Sequence, residues 1–218
     1  MHGDCGFGLL CIAMLAFDIE TTGLDKHVHC VTVVCFYGEL RGKHFEKSFN
    51  FKRDGFDAHA EACIEVMRGA DVLVAINGFR FDVPFLGHFL KVSDAEMLSW
   101  LVKLHDPCEV CFFFLYKSAK KLRIRGCVSV AGTRYVIPSL RQEMRVLYSR
   151  PMSLQRFACF FDLGFKSSSG VEAVLMAEEG RWDELESYCM QDARLTFLLA
   201  GKIKTCPLEC ILEHYTYI

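Results

Sequence analysis

The sequence has no uncharged run long enough to cross a bilayer. The longest, Cys5 to Phe17, is 13 residues, and a transmembrane helix needs about 20. No Lys or Arg precedes that run, only Met1, His2, Gly3 and Asp4, which argues against a secretory signal. Proline is scarce at 5 residues, and there is no Pro-rich linker, low-complexity tract or internal repeat. A chain of 218 residues with these features is expected to form one domain, 1–218. Segments both polar and charge-rich are few, which excludes disorder as the main state. A basic excess is missing too. The 25 Lys+Arg face 27 Asp+Glu, a formal net charge of −2, and that sum speaks against a nucleic-acid partner.

Cysteine, by contrast, is plentiful at 12 residues. The chain is too long for a disulfide-stapled mini-domain, and Cys30, Cys35, Cys63 and Cys159 lie in apolar runs. They are expected to be small buried hydrophobes in a reducing compartment, cytoplasmic or nuclear, neither secreted nor membrane-bound. Cys108 and Cys111 form a C-x2-C pair, and Cys206, Cys210 and His214 share a helical face by their spacing. A single pair with no matching second knuckle argues against structural zinc.

The order of elements predicts an α/β fold. Three strands come first, over Leu9–Glu20, Val28–Tyr37 and Lys43–Phe51, with a hairpin loop at Gly38–Gly42 between the last two. Helical spacing follows over Asp57–Arg68, then a short strand at Asp71–Ile76 and a helix over Phe81–Leu90. Strands are expected at Val110–Tyr116, Cys127–Val130 and Arg134–Ile137, turning at Gly132. Helices are expected over Leu140–Leu147, Leu154–Phe161, Val171–Glu178 and Trp182–Lys204. The mixed sheet would thus open on an antiparallel three-strand meander, and the C-terminal half would be helical.

Three short patterns carry chemistry. Asp18 and Glu20 stand two apart on a strand, so both side chains take one face. Two carboxylates on an otherwise apolar strand are costly unless a cation offsets them, and oxygen donors suit Mg²⁺ or Mn²⁺. Asp94-Ala95-Glu96 repeats the spacing but reads as a solvated helix start. Asn77-Gly78-Phe79-Arg80-Phe81-Asp82 links a buried strand to a helix, and Tyr188 and Asp192 stand four apart on a helix and share its face.

Taken in order, Asp-x-Glu, Asn-x3-Phe-Asp and Tyr-x3-Asp resemble the three motifs of the DEDDy branch of the DEDD exonucleases. The match looks closest to the proofreading exonuclease domain of family B DNA polymerases. The resemblance implies a ribonuclease H-like fold and a 3′→5′ exonuclease acting on single-stranded DNA, releasing nucleoside 5′-monophosphates. It assigns Asp18, Glu20, Asp82 and Asp192 to two divalent cations, Mg²⁺ or Mn²⁺, and Tyr188 to orienting the attacking water. Thr21, Leu24, Asn77 and Phe81 are implied contacts to the 3′ end. Alternatives are an exoribonuclease, a non-catalytic nucleic-acid-binding module, or an accessory proofreading module beside a polymerase or replication partner. One departure stands out: the family's strand ending in Asp, ahead of the helix at Leu140, has Ser139 here.

Charge is also unevenly distributed. Residues 117–150 hold nine basic side chains, among them Lys120, Lys121 and Arg123, and one acid, Glu143. That segment nets +8 and the remainder −10. A basic hairpin elaboration at about 108–139 is therefore expected to guide phosphates toward the acids.

Overall fold

The computed structural model describes residues 12–107, 154–164 and 170–205. Five strands form one mixed sheet: β1 (Met14–Thr21), β2 (Val31–Leu40), β3 (Lys43–Asn50), β4 (Val72–Val74) and β5 (Leu104–His105). Their order across the sheet is β3-β2-β1-β4-β5. The first three are antiparallel neighbours, and β4 and β5 run parallel to β1. Helices α1 (Phe56–Gly69), α2 (Asp82–Phe89) and α3 (Asp94–Val102) precede β5; α4 (Leu154–Phe160), α5 (Gly170–Glu178) and α6 (Trp182–Thr205) follow it. The antiparallel start and the helical C-terminal part are as expected. The middle strands, the hairpin, the Leu140–Leu147 helix, Lys120, Lys121, Arg123 and the suspected zinc ligands lie outside the described residues. Among the described residues, no helix is long and apolar enough to cross a membrane.

Strand alternation sorts β1 between two layers. Leu15, Phe17 and Ile19 join Val34, Phe36 and Phe49 in a core with Cys63 and Met67 of α1, Val83, Phe85 and Leu86 of α2 and Trp100 of α3. The opposite face of the sheet meets α5 and α6 through Val33, Cys35, Ala173, Met176, Leu185, Tyr188 and Cys189. There Ala16, Val74 and Ala200 pack together, and such small side chains let α6 lie close to β1. Each large apolar side chain so buried contributes about 1.5–3 kcal/mol. Ala16, Asp18 and Glu20 share the α6 face by the same alternation.

Several boundaries move, for local reasons. The second strand begins at Val31, not Val28, because Asp25 organises a turn. Its carboxylate accepts from the His27 N–H at 2.9 Å and its carbonyl from Val28 and His29. That strand also runs through the predicted loop to Leu40. The actual turn is Arg41-Gly42, both at positive φ (54° and 72°), as a two-residue hairpin of right-handed strands requires. Cys159 corrects a sequence expectation. It is exposed, whereas Cys35 and Cys63 are buried and Cys30 is half-buried. Glu96 is not merely solvated: it accepts from the Trp100 indole N–H at 2.9 Å and pairs with Arg68.

A polar clamp ties α6 to β3. The Glu186 carboxylate accepts from Ser48 Oγ at 2.9 Å and Asn50 Nδ2 at 2.8 Å, and pairs with Arg53 at 2.8 Å. Glu186→Ala is expected to lower unfolding stability by about 1–3 kcal/mol, since it strips bonded partners of a charged acceptor. A urea midpoint unchanged from the parent would refute the clamp.

Candidate active site

The acids stand where β1 loses a neighbour. Pairing of β1 with β4 covers only Met14 to Ala16, so beyond Ala16 that edge of β1 has no strand beside it. Pairing with β2 continues past this point and matches Asp18 with Cys35 and Glu20 with Val33. Both acids are half-buried. An oxygen of Asp18, an oxygen of Glu20 and the Sγ of Cys189 all lie within 4.8 Å of one another. Ligands of one ion at about 2.0–2.3 Å span up to about 4.6 Å across it, so small side-chain rotations close this set around a cation. The half-buried negative charge gives such an ion its reason to bind.

Helix α6 brings the remaining third-motif residues to the same face. Tyr188 and Asp192 are both 3% exposed. Cys189 and Asp192 are three apart and so lie on one side of the helix. The Cys189 thiol donates to the Asp18 carbonyl at 3.3 Å, fixing the helix against the strand that carries the acids. Burial, then the neighbouring Cys35 thiol, then the charges of Asp18 and Glu20 raise the Cys189 pKa well above the usual thiol range.

Asp82 arrives from the other side. It opens α2, is buried, and makes no cap bond to its own helix through Phe81. Its carboxylate accepts from its own backbone N–H and from the N–H of Ile19, the residue between Asp18 and Glu20. The open edge of β1 is therefore where the second motif attaches. Burial, with the negative Asp106 adding to it, outweighs these hydrogen bonds and pushes the Asp82 pKa up to about 8. Asp106, 2% exposed, follows β5 directly. Sequence reading missed it, because a two-residue strand carries no periodicity and Asp106-Pro107 looks like a turn. An acid does end the strand beside β4, and Ser139 lies outside the described residues.

The 3′-end residues are placed as follows. Thr21 Oγ1 donates to the Gly23 carbonyl at 2.7 Å, so its proton shapes the turn that presents Leu24. Gly23 is required there, since a Cβ would sit 2.6 Å from the His29 ring. Asn77 adopts φ 65°, a conformation Asn tolerates better than most residues, and its carbonyl accepts from the N–H groups of Arg80 and Phe81. Gly78 beside it is packed so tightly that a Cβ would lie 2.7 Å from that of Ala75. These two turns, from separate motifs, bring Leu24 and Phe81 together. Both line a cleft of about 430 Å³ with Lys26, His27, Arg80 and Pro84, and Leu24 is 85% exposed.

Comparison with known proteins agrees with this architecture. The chain is similar in fold to the family B DNA polymerase from the hyperthermophilic archaeon Pyrobaculum calidifontis, with a TM-score of 0.54 and 18% identity. That match covers 88% of this chain and 24% of the polymerase, so the chain spans about a quarter of the polymerase's length. No curated protein matches it. The sequence model of the RNase_H superfamily matches residues 15–146, more than half of the chain and including the strands that carry Asp18 and Glu20. With its mixed five-stranded sheet and flanking helices, the chain belongs to the RNase_H superfamily, a nuclease-like fold.

Proposed function

We propose that the chain is a 3′→5′ exonuclease, dependent on two divalent cations, that removes nucleoside 5′-monophosphates from single-stranded DNA. The observation that carries this is the docking of α6 onto β1: it places Tyr188, Cys189 and Asp192 on the sheet face that bears Asp18 and Glu20. When bound, Mg²⁺ or Mn²⁺ would supply Lewis-acid stabilisation of the charge that develops on the phosphate oxygens. Asp18, Glu20, Asp82 and Asp192 would hold the ions. Tyr188 would orient water by hydrogen bonding and not by removing a proton, since its ordinary pKa is about 10. Leu24 and Phe81 would flank the last base in their shared cleft, with Thr21 and Asn77 shaping its two walls. Lys120, Lys121 and Arg123 would guide the strand.

The likeness to a DNA polymerase favours DNA over RNA, and it also favours a polymerase as working partner. The test uses single strands of DNA and of RNA, labelled at either end, with Mg²⁺, Mn²⁺ or EDTA. The expected result is immediate release of labelled mononucleotide from 3′-labelled DNA, a ladder from 5′-labelled DNA, and no product in EDTA. Preferential loss of RNA would make the chain an exoribonuclease. Product in EDTA would overturn the mechanism.

A further inference from the structure

The acid pair faces a thiol. Asp18 and Glu20 are hard oxygen donors, but the third donor atom within 4.8 Å of both is the Cys189 sulfur. Burial does not require sulfur there, because Ala would fill an apolar site. The bond to the Asp18 carbonyl does not require it either, because a Ser hydroxyl could donate in the same way. What sulfur adds is softness: thiolate shifts a site's preference toward Zn²⁺ and Cd²⁺ and away from Mg²⁺. The set is also held in place. Cys189 is on a helix clamped to the sheet through Glu186, and Asp18 is pinned in register opposite Cys35.

We infer that Asp18, Glu20 and Cys189 form a thiophilic cation site, which takes Zn²⁺ or Cd²⁺ in competition with the ions that support hydrolysis. The inference rests on the carboxylate centre proposed above and adds a means of switching it off. Binding breaks the Cys189 S–H bond and forms a metal–sulfur bond. The proton passes to the buffer, nothing is oxidised or reduced, and the Asp18 carbonyl loses its donor. Both carboxylates are then occupied by an ion that is slow to exchange, so the hydrolytic ions are excluded until a chelator removes it.

Cadmium alone is the probe. The full chain is stripped of metal, kept reduced with a phosphine, and titrated with Cd²⁺ while thiolate-to-cadmium charge transfer is read in the ultraviolet and heat is read by calorimetry. Other cysteines add background, so the reading is the difference between variants. Cys189→Ser should lose one Cd²⁺ equivalent and its share of the band. Asp18→Asn, with every cysteine intact, should weaken the same equivalent by at least about tenfold. Cys35→Ser should retain it. Identical titrations of the parent and Cys189→Ser would overturn the inference, as would a band lost in Cys189→Ser and unaffected in Asp18→Asn. If Cys189→Ser does not fold, the Asp18→Asn arm decides alone. Because the band needs no turnover, the two readings fail separately. Cadmium binding at Cys189 in a chain that degrades no strand leaves this site standing and removes the exonuclease, and the converse result does the reverse.

Discussion

Asp18→Asn is expected to abolish strand hydrolysis while leaving the fold intact. The substitution keeps the volume of the side chain and removes one charge from a half-buried pair. Fewer opposed charges on the α6 face means that the metal-free protein should be no less stable than the parent. Hydrolysis is another matter. Losing a carboxylate that holds the ions forfeits about 4–6 kcal/mol of transition-state stabilisation, or roughly 10³- to 10⁴-fold in rate. The measurement is initial rate on 3′-labelled single strands in Mg²⁺, beside far-ultraviolet circular dichroism of both proteins. A rate within tenfold of the parent would remove Asp18 from the reacting centre. Loss of helical signal would instead show that Asp18 supports the docking of α6.

Metal-free protein should become less stable as pH rises from about 4 to about 8, the reverse of the trend for a salt-bridged acid. Asp82 is the cause. Its folded pKa stands near 8 against an ordinary value of 3.8. Between those values the folded chain keeps a proton that the unfolded chain has released, so each increment of pH favours unfolding. Stability from this group is complete below about pH 4 and lost as pH passes 8. The effect is of the order of a few kcal/mol, which for a chain of this size lowers the melting temperature by roughly 5–10 °C. Divalent ions should reverse the trend. They bind the folded form alone, and best when Asp82 is ionised, so the Mg²⁺- or Mn²⁺-induced rise in melting temperature should grow with pH. Asp106→Asn removes the neighbouring negative charge and should shift the whole window to lower pH. A melting temperature independent of pH over this range without metal would refute the assignment.

The face of β1 that carries the acids was legible from alternation alone. Leu15, Phe17 and Ile19 share one parity, and Asp18 and Glu20 the other, and packing follows that division. The helix of the third motif was legible too, from Leu195, Leu199 and Ile203 at helical spacing, all of them buried. Its boundaries differ by a residue from the sequence reading, as frayed ends usually do. Other features depend on contacts that no local pattern encodes. Cys189 meets Asp18 across 171 residues of sequence, so its place in the donor set could not be read from spacing. Asp106 acquires meaning only through Asp82. Cys159 was misjudged because an apolar neighbourhood in sequence does not say which side of a short helix faces water. The turn at Asp25 was missed because strand propensity in Val28-His29-Cys30 was outweighed by one side-chain hydrogen bond, a typical override of propensity by local polar chemistry.

The division of the centre between β1 and α6 also has a consequence in time. On a ribosome the acids of β1 emerge early, and the helix that completes their surroundings emerges 171 residues later. Closing a loop of that length is slow compared with forming the β1–β2–β3 meander, whose contacts are nearly all local. The sheet is thus complete while its cutting edge is still absent. A nascent chain passes most of its synthesis as a harmless scaffold, and the power to cleave a strand arises only when α6 docks.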